Sequence, residues 1–305
     1  MTNPNDLFSR ARAVGAWRRF VDFPVARIVV AVLFLIPAIL LHNLIFNTAK
    51  GTLDENTFNW FRDVEWIVSV ALIFISYRIY TRVVEKRSAG ELSSRGAIKE
   101  TGTGLALGAG LVILAVAVMY IANCYRIEST GGWESFVHLF REFGAFTFSE
   151  ELIFRLILFR LLEELIGSVW ALIGAAVVFG IAHAGNPSST AWTTISLTVL
   201  GCLFIGCFML SRRIWMAWGT HFGWNYFQTA VFGMANSGRA DHITFVNPAI
   251  SGPEWLTGGD FGIEASWLAF TLLALSTVAV IRAAARRGHV VKPRWLRTTE
   301  ATPAP

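Results

Sequence analysis

The sequence predicts an all-helical, polytopic membrane protein, and three observations carry that expectation. Hydrophobic residues make up 54% of the chain and charged residues only 15%, where a soluble chain carries about a quarter charged. Apolar runs of roughly 20 residues, the length that spans a bilayer core, recur along the sequence. Lys and Arg are also distributed unevenly between alternate connections, as they are when cytoplasmic loops retain positive charge.

Eight spans follow, at about 26–47, 64–81, 103–124, 138–160, 167–185, 191–211, 214–234 and 265–284. The polar, basic segment ahead of the first has no signal-peptide cleavage pattern. The second span is the shortest. The third opens with Gly102, Gly104, Gly108 and Gly110, small residues that allow close helix approach. The fourth carries acids and a base in its apolar run. The fifth ends in "FGIAHAGNP". The sixth holds Cys202 and Cys207, read as small buried hydrophobes. The seventh follows "RRIW", a positive stop and an interfacial aromatic, and contains "WGTHFGWNYFQ". Residues 235–264 form the longest connection before the eighth span, ordered-looking and rich in Gly and Pro. With no internal repeat and no separate soluble domain, residues 1–305 read as one membrane domain. Residues 286–305 read as a basic cytoplasmic tail.

With the N-terminus cytoplasmic and all eight spans crossing, the inner segments hold 20 Lys and Arg and the outer segments 5. That bias supports the span count and puts both termini on the cytoplasmic side, in a bacterial cell membrane as the expected location. The net charge of +5 then needs no nucleic-acid partner, because basic residues at membrane edges account for it. Membrane lipid is the surrounding partner.

Ionisable residues at mid-bilayer cost roughly 3 kcal/mol on insertion scales and face the bundle interior. In "FTFSEELIFRLILFRLLEEL", Glu150 lies nine residues after Arg141, roughly 13 Å along a helix. Glu151 and Arg155, spaced i, i+4, share a face and can pair. Glu150 projects about 100° away and must face another helix. Two other spans supply candidates. Phe179 and His183 are i, i+4, and so are His221 and Asn225, so each pair presents both side chains on one face. Gly219 and Gly223 flank His221 and admit a neighbouring backbone.

These groups suit amide hydrolysis without a covalent intermediate. A carboxylate in a poorly solvated cavity can take a proton from water and return it. Glu150 fits that base, and His183 could share the water and protonate the leaving amine. His221 and Asn225 offer donors to a developing oxyanion. Arg155 would hold Glu151 ionised. No cofactor is required by this scheme. Zinc is the alternative, since two His and one or two Glu match its catalytic ligands, although no H-E-x-x-H helix is present.

The residues resemble a known family. "EELIFR" with Glu150, Glu151 and Arg155 matches E-E-x-x-x-R. "FGIAH" with Phe179 and His183 matches F-x-x-x-H. "HFGWN" with His221 and Asn225 matches H-x-x-x-N. In this order, on separate spans, they look like the CPBP intramembrane endopeptidases, which include the CAAX prenyl protease and bacterial Abi proteins. "SGPEWLTGGDFGIEAS" also resembles bacterial members, with no chemistry assigned to it. The resemblance covers residues 138–235 and implies that they form a catalytic core in helices 4–7. It further implies cleavage of a peptide bond in a membrane-associated substrate, prenylated or bacteriocin-like, by water that Glu150 and His183 activate.

Glu163 and Glu164 with Arg160 repeat the acid-acid-base composition and read as a solvated helix end. His42, His138, His242 and His289 read as incidental. Two other functions compete: an ion- or proton-coupled transporter, since buried Glu, Arg and His also form relays, and a non-catalytic immunity or scaffold protein.

Overall fold

The computed structural model describes residues 23–240 and 244–297. Helix α1 (Pro24–Thr52) begins with proline in its first turn, where the missing N–H costs no hydrogen bond. Helix α2 (Glu55–Tyr80) starts earlier than its apolar run, because the Asp54 carboxylate accepts the Thr57 N–H at 3.1 Å and caps it. Helix α3 spans Ala97–Ile121. Helix α4 (Glu134–Glu151) runs through a π-helical stretch, Leu152–Phe159, into α5 (Arg160–Ala182). Helix α6 (Ala191–Ser211) opens with a Thr190–Thr193 capping box. Helix α7 (Ile214–Tyr226) continues as a second π-helical turn, Phe227–Val231. Helix α8 (Trp267–Arg286) is capped by Ser266.

Among the described residues, six helical segments are long and apolar enough to cross a membrane, and the chain is a multi-pass, all-α membrane protein. The expected fourth and fifth spans form one segment, Phe136–Ala182, of 47 residues. At about 1.5 Å per residue it is more than twice as long as a bilayer core is thick. It breaks at Gly167, whose φ of 77° suits glycine. The expected seventh span coincides with α7, which is short and almost wholly buried.

The reason α7 is buried lies in the glycines. A Cβ on Gly104 or Gly108 would collide with the carbonyl oxygens of Met216 and Thr220. A Cβ on Gly219 would strike the Thr101 oxygen, and one on Gly223 would lie 2.7 Å from the Leu105 oxygen. Helices α3 and α7 therefore meet backbone to backbone, and α7 is held centrally. Gly102 and Gly110 face open space and take no part.

One expectation is corrected. Arg160 and Glu163 are fully buried and Glu164 nearly so, not solvated. Arg160 reaches Glu85 at 2.6 Å, Arg212 reaches Glu163 at 2.6 Å and Arg27 reaches Glu164 at 2.6 Å. A run of acids and bases reads as solvated until partners from other helices enclose it, and those partners lie 49 to 137 residues away in sequence. The start of the basic tail is also packed. Ser168 and Val291 exchange hydrogen bonds at 2.9 and 2.8 Å, and His289 is buried with its Nδ1 against the Met209 carbonyl. The end of the tail, 298–305, lies outside the described residues, as does His242.

The connection after α7 is ordered where it is described. Its strand β2 (Val246–Ile250) pairs antiparallel with β1 (Tyr125–Thr130), which follows α3. The Tyr125 hydroxyl donates to the Phe232 carbonyl at 2.9 Å and ties the ribbon to the end of α7.

Candidate active site

The end of α4, the end of α5 and the middle of α7 converge on one cavity of about 310 Å³. Glu150, Phe179, His183, His221 and Asn225 line it. Glu150 Oε1 lies 3.8 Å from His183 Nε2, and Glu150 Oε2 lies 3.6 Å from His221 Nε2. The acid stands between two imidazoles from different helices. Its Oε2 accepts no hydrogen bond from a described residue. His183 is level with Glu150, although its place near the end of a span had put it closer to the outer face.

Both rings are oriented from behind. His183 Nδ1 lies 2.8 Å from the Phe179 carbonyl, one turn back on the same helix. A carbonyl can only accept, so Nδ1 carries the hydrogen and the neutral ring presents a bare Nε2 to the cavity. His221 Nδ1 lies 2.8 Å from Glu151 Oε1. An ionised Glu151 likewise only accepts, and again Nε2 faces Glu150. This second shared arrangement escapes the sequence, which pairs Glu151 with Arg155 alone.

That pairing is present too, with Arg155 Nε 2.9 Å from Glu151 Oε2 and both side chains fully buried. The contact is a charge contact, since neither atom finds an aligned hydrogen-bond partner. The guanidinium is held by aromatic faces instead, 4.9 Å from the Phe179 ring centre and 5.1 Å from that of Phe204. Phe204 also stacks on His221 at 4.3 Å. Phe179, the first residue of the F-x-x-x-H pattern, thus orients His183 with its carbonyl and Arg155 with its ring.

A π-helical stretch directly follows Glu151, and another begins two residues after Asn225. Such widened turns are frequent at functional sites. Among the described residues, no group of three or more His, Cys, Asp or Glu side chains is arranged to hold a metal ion. Glu151 is committed to Arg155 and His221, which removes one candidate ligand.

Sequence reasoning missed the opposite wall. Glu142, Asn236, Ser237, Arg239 and Glu264 line the same cavity. Glu264 belongs to the "FGIE" stretch singled out without a role.

Fold and site together define a multi-pass membrane protein whose helical core encloses a carboxylate flanked by two histidines. Residues 131–227 match the family described as type II CAAX prenyl endopeptidase Rce1-like. The resemblance read from the three motifs therefore holds, and the family is one of membrane proteases. Neither a curated protein nor a solved structure matches the chain.

Proposed function

We propose that this protein is an intramembrane endopeptidase that hydrolyses a peptide bond with water activated by Glu150 and His183. The observation that carries this reading is the placement of Glu150 within 3.6–3.8 Å of two Nε2 atoms in one cavity. Gaps of that size suit groups that share a water. Glu150 takes a proton from the water as it attacks the carbonyl. With Nδ1 tied to Phe179, the bare Nε2 of His183 can accept a proton and pass it to the leaving amine. Asn225 can donate to the oxyanion through its amide. His221 can do so when its Nε2 carries a hydrogen, with the ring held at Nδ1 by Glu151. Arg155 places its positive charge beside Glu151.

The substrate class is a membrane-associated peptide or lipidated protein tail, with prenylated peptides the first to test. The mechanism is taken as metal-free, supported by the donor arrangement at the site. The basic residues favour cytoplasmic termini in a bacterial membrane, and the cavity's rim at Asn186 and 236–239 then faces the opposite side.

The test is cleavage of a quenched farnesylated peptide by the purified protein. Replacing Glu150 with Ala should lower turnover roughly 100-fold or more. Undiminished turnover in that variant would remove Glu150 from the mechanism. A strong chelator added to the wild type should leave the rate unchanged, and inhibition reversed by zinc would favour the metal scheme.

A further inference from the structure

Across the cavity from the histidines stands a four-residue turn, Asn236 to Arg239. It closes on itself, with the Asn236 N–H donating to the Arg239 carbonyl at 2.9 Å and the Arg239 N–H to the Asn236 carbonyl at 3.0 Å. Ser237 and Gly238 have φ of 48° and 82°. A non-glycine residue in that region is costly and persists where surroundings enforce it. The surroundings here are extensive. The Ser237 N–H donates to Glu264 Oε2 at 2.6 Å, and its hydroxyl donates to the same oxygen at 3.1 Å. The Gly238 N–H donates to the Phe261 carbonyl at 2.8 Å, and a Cβ on Gly238 would collide with the Pro187 carbonyl. Glu264 is itself buried, and its own carbonyl accepts the Ser196 hydroxyl of α6. The turn is therefore bolted to the helical core through one carboxylate.

This rigid turn carries Arg239, the one Lys or Arg among the described residues lining the cavity. The other charged linings, Glu142, Glu150 and Glu264, are acids. Arg239 is exposed on the cavity side of its turn and makes no ion pair with a described residue. A merely solvated surface arginine would need no such anchoring. A guanidinium fork at a fixed place beside a hydrolytic carboxylate suits one ligand chemistry, a carboxylate bound through two parallel hydrogen bonds.

We propose that Arg239 is a specificity-determining residue that binds a carboxylate of the substrate peptide, and that Glu264 is the positioning residue that fixes its turn. The proposal rests on the peptidase reading for the identity of the ligand as a peptide. The carboxylate can come from a free chain end or from an acidic side chain.

The experiment uses the full chain with Glu150→Gln in detergent micelles, so that binding is read without turnover. Three fluorescent farnesylated peptides are compared: one with a free terminal carboxylate, one with a terminal carboxamide, and one carboxamide peptide carrying a single aspartate. A carboxylate peptide should bind about tenfold or more tightly than the plain carboxamide. The arm that shows the gain identifies the source. Adding R239A should abolish that gain and leave carboxamide binding unchanged. Glu264→Ala should do the same, and Glu264→Gln should restore the gain, because its amide oxygen still accepts the Ser237 N–H. Absence of any carboxylate preference, including absence of binding, overturns the proposal, as does an R239A effect equal on all three peptides. A preference that survives Glu264→Ala overturns the positioning role. Hydrolysis by the protein with native Glu150 is scored separately. Its failure alongside an intact carboxylate preference would count against the peptidase chemistry and leave the binding assignment standing.

Discussion

Glu151 accepts the Nδ1 hydrogen of His221 at 2.8 Å, across a sequence separation of 70 residues. The same carboxylate meets Arg155 through its other oxygen at 2.9 Å. One buried acid thus serves two helices: it neutralises a base on its own and sets the tautomer of a ring on another.

Two substitutions separate the acceptor from the charge. Glu151→Gln keeps an acceptor for the His221 ring but removes the negative charge beside it. We expect kcat to fall roughly 10- to 100-fold with KM changed less than about threefold. Glu151→Ala removes the acceptor as well and should lower kcat further. Both variants strand the Arg155 cation, and loss of one partner of a buried pair costs about 3–5 kcal/mol. Thermal melts of the purified protein should show a large drop for both. A melting temperature equal to that of the wild type would mean that Arg155 does not depend on Glu151.

The seam between α3 and α7 makes a sharper structural test. A side chain at Gly108 would strike the Thr220 carbonyl, and one at Gly110 would meet nothing within 4 Å. Gly108→Val should destabilise the protein by about 1–3 kcal/mol or more and displace His221 and Asn225 with α7. Gly110→Val, two residues away, should melt within a degree or two of the wild type. Similar melting for both variants would show that α7 is not seated on α3 as described.

Glu264 predicts a pH dependence of stability. Burial pushes its carboxyl up from 4.5 to about 7, against the hydrogen bonds from Ser237 that favour the charged form. The folded state therefore holds this proton where the unfolded chain releases it. Stability from this group is greatest below pH 4.5 and declines as pH rises toward 7, by a total on the order of 3 kcal/mol. Glu264→Gln should flatten that part of the melting-temperature profile between pH 4.5 and 8. An unchanged slope would mean that Glu264 does not titrate in this range.

Much of the site was legible because each local pair is a helical repeat. Glu151 with Arg155, Phe179 with His183, and His221 with Asn225 are all i, i+4, and helix geometry alone puts each pair on one face. The membrane class was legible because apolar run length answers directly to bilayer thickness. The reading failed where a residue's environment comes from distant segments. Arg160, Glu163 and Glu164 resemble a solvated end until Glu85, Arg212 and Arg27 are packed against them. The wall made by Asn236, Ser237, Arg239 and Glu264 had no periodicity to betray it, since turns and short loop segments carry none.

The sequence by itself determined the helical membrane class and the six polar residues carried by three of its helical segments, because each of these depends on solvent-driven hydropathy and on spacing within one helix. Only the tertiary structure decided that Glu150 stands between His183 and His221, that Glu151 supports His221, and that Arg239 is held over the same cavity. Those relations span tens of residues of chain, and they are fixed by backbone contact between α3 and α7 and by the buried bond from Glu264 to Ser237.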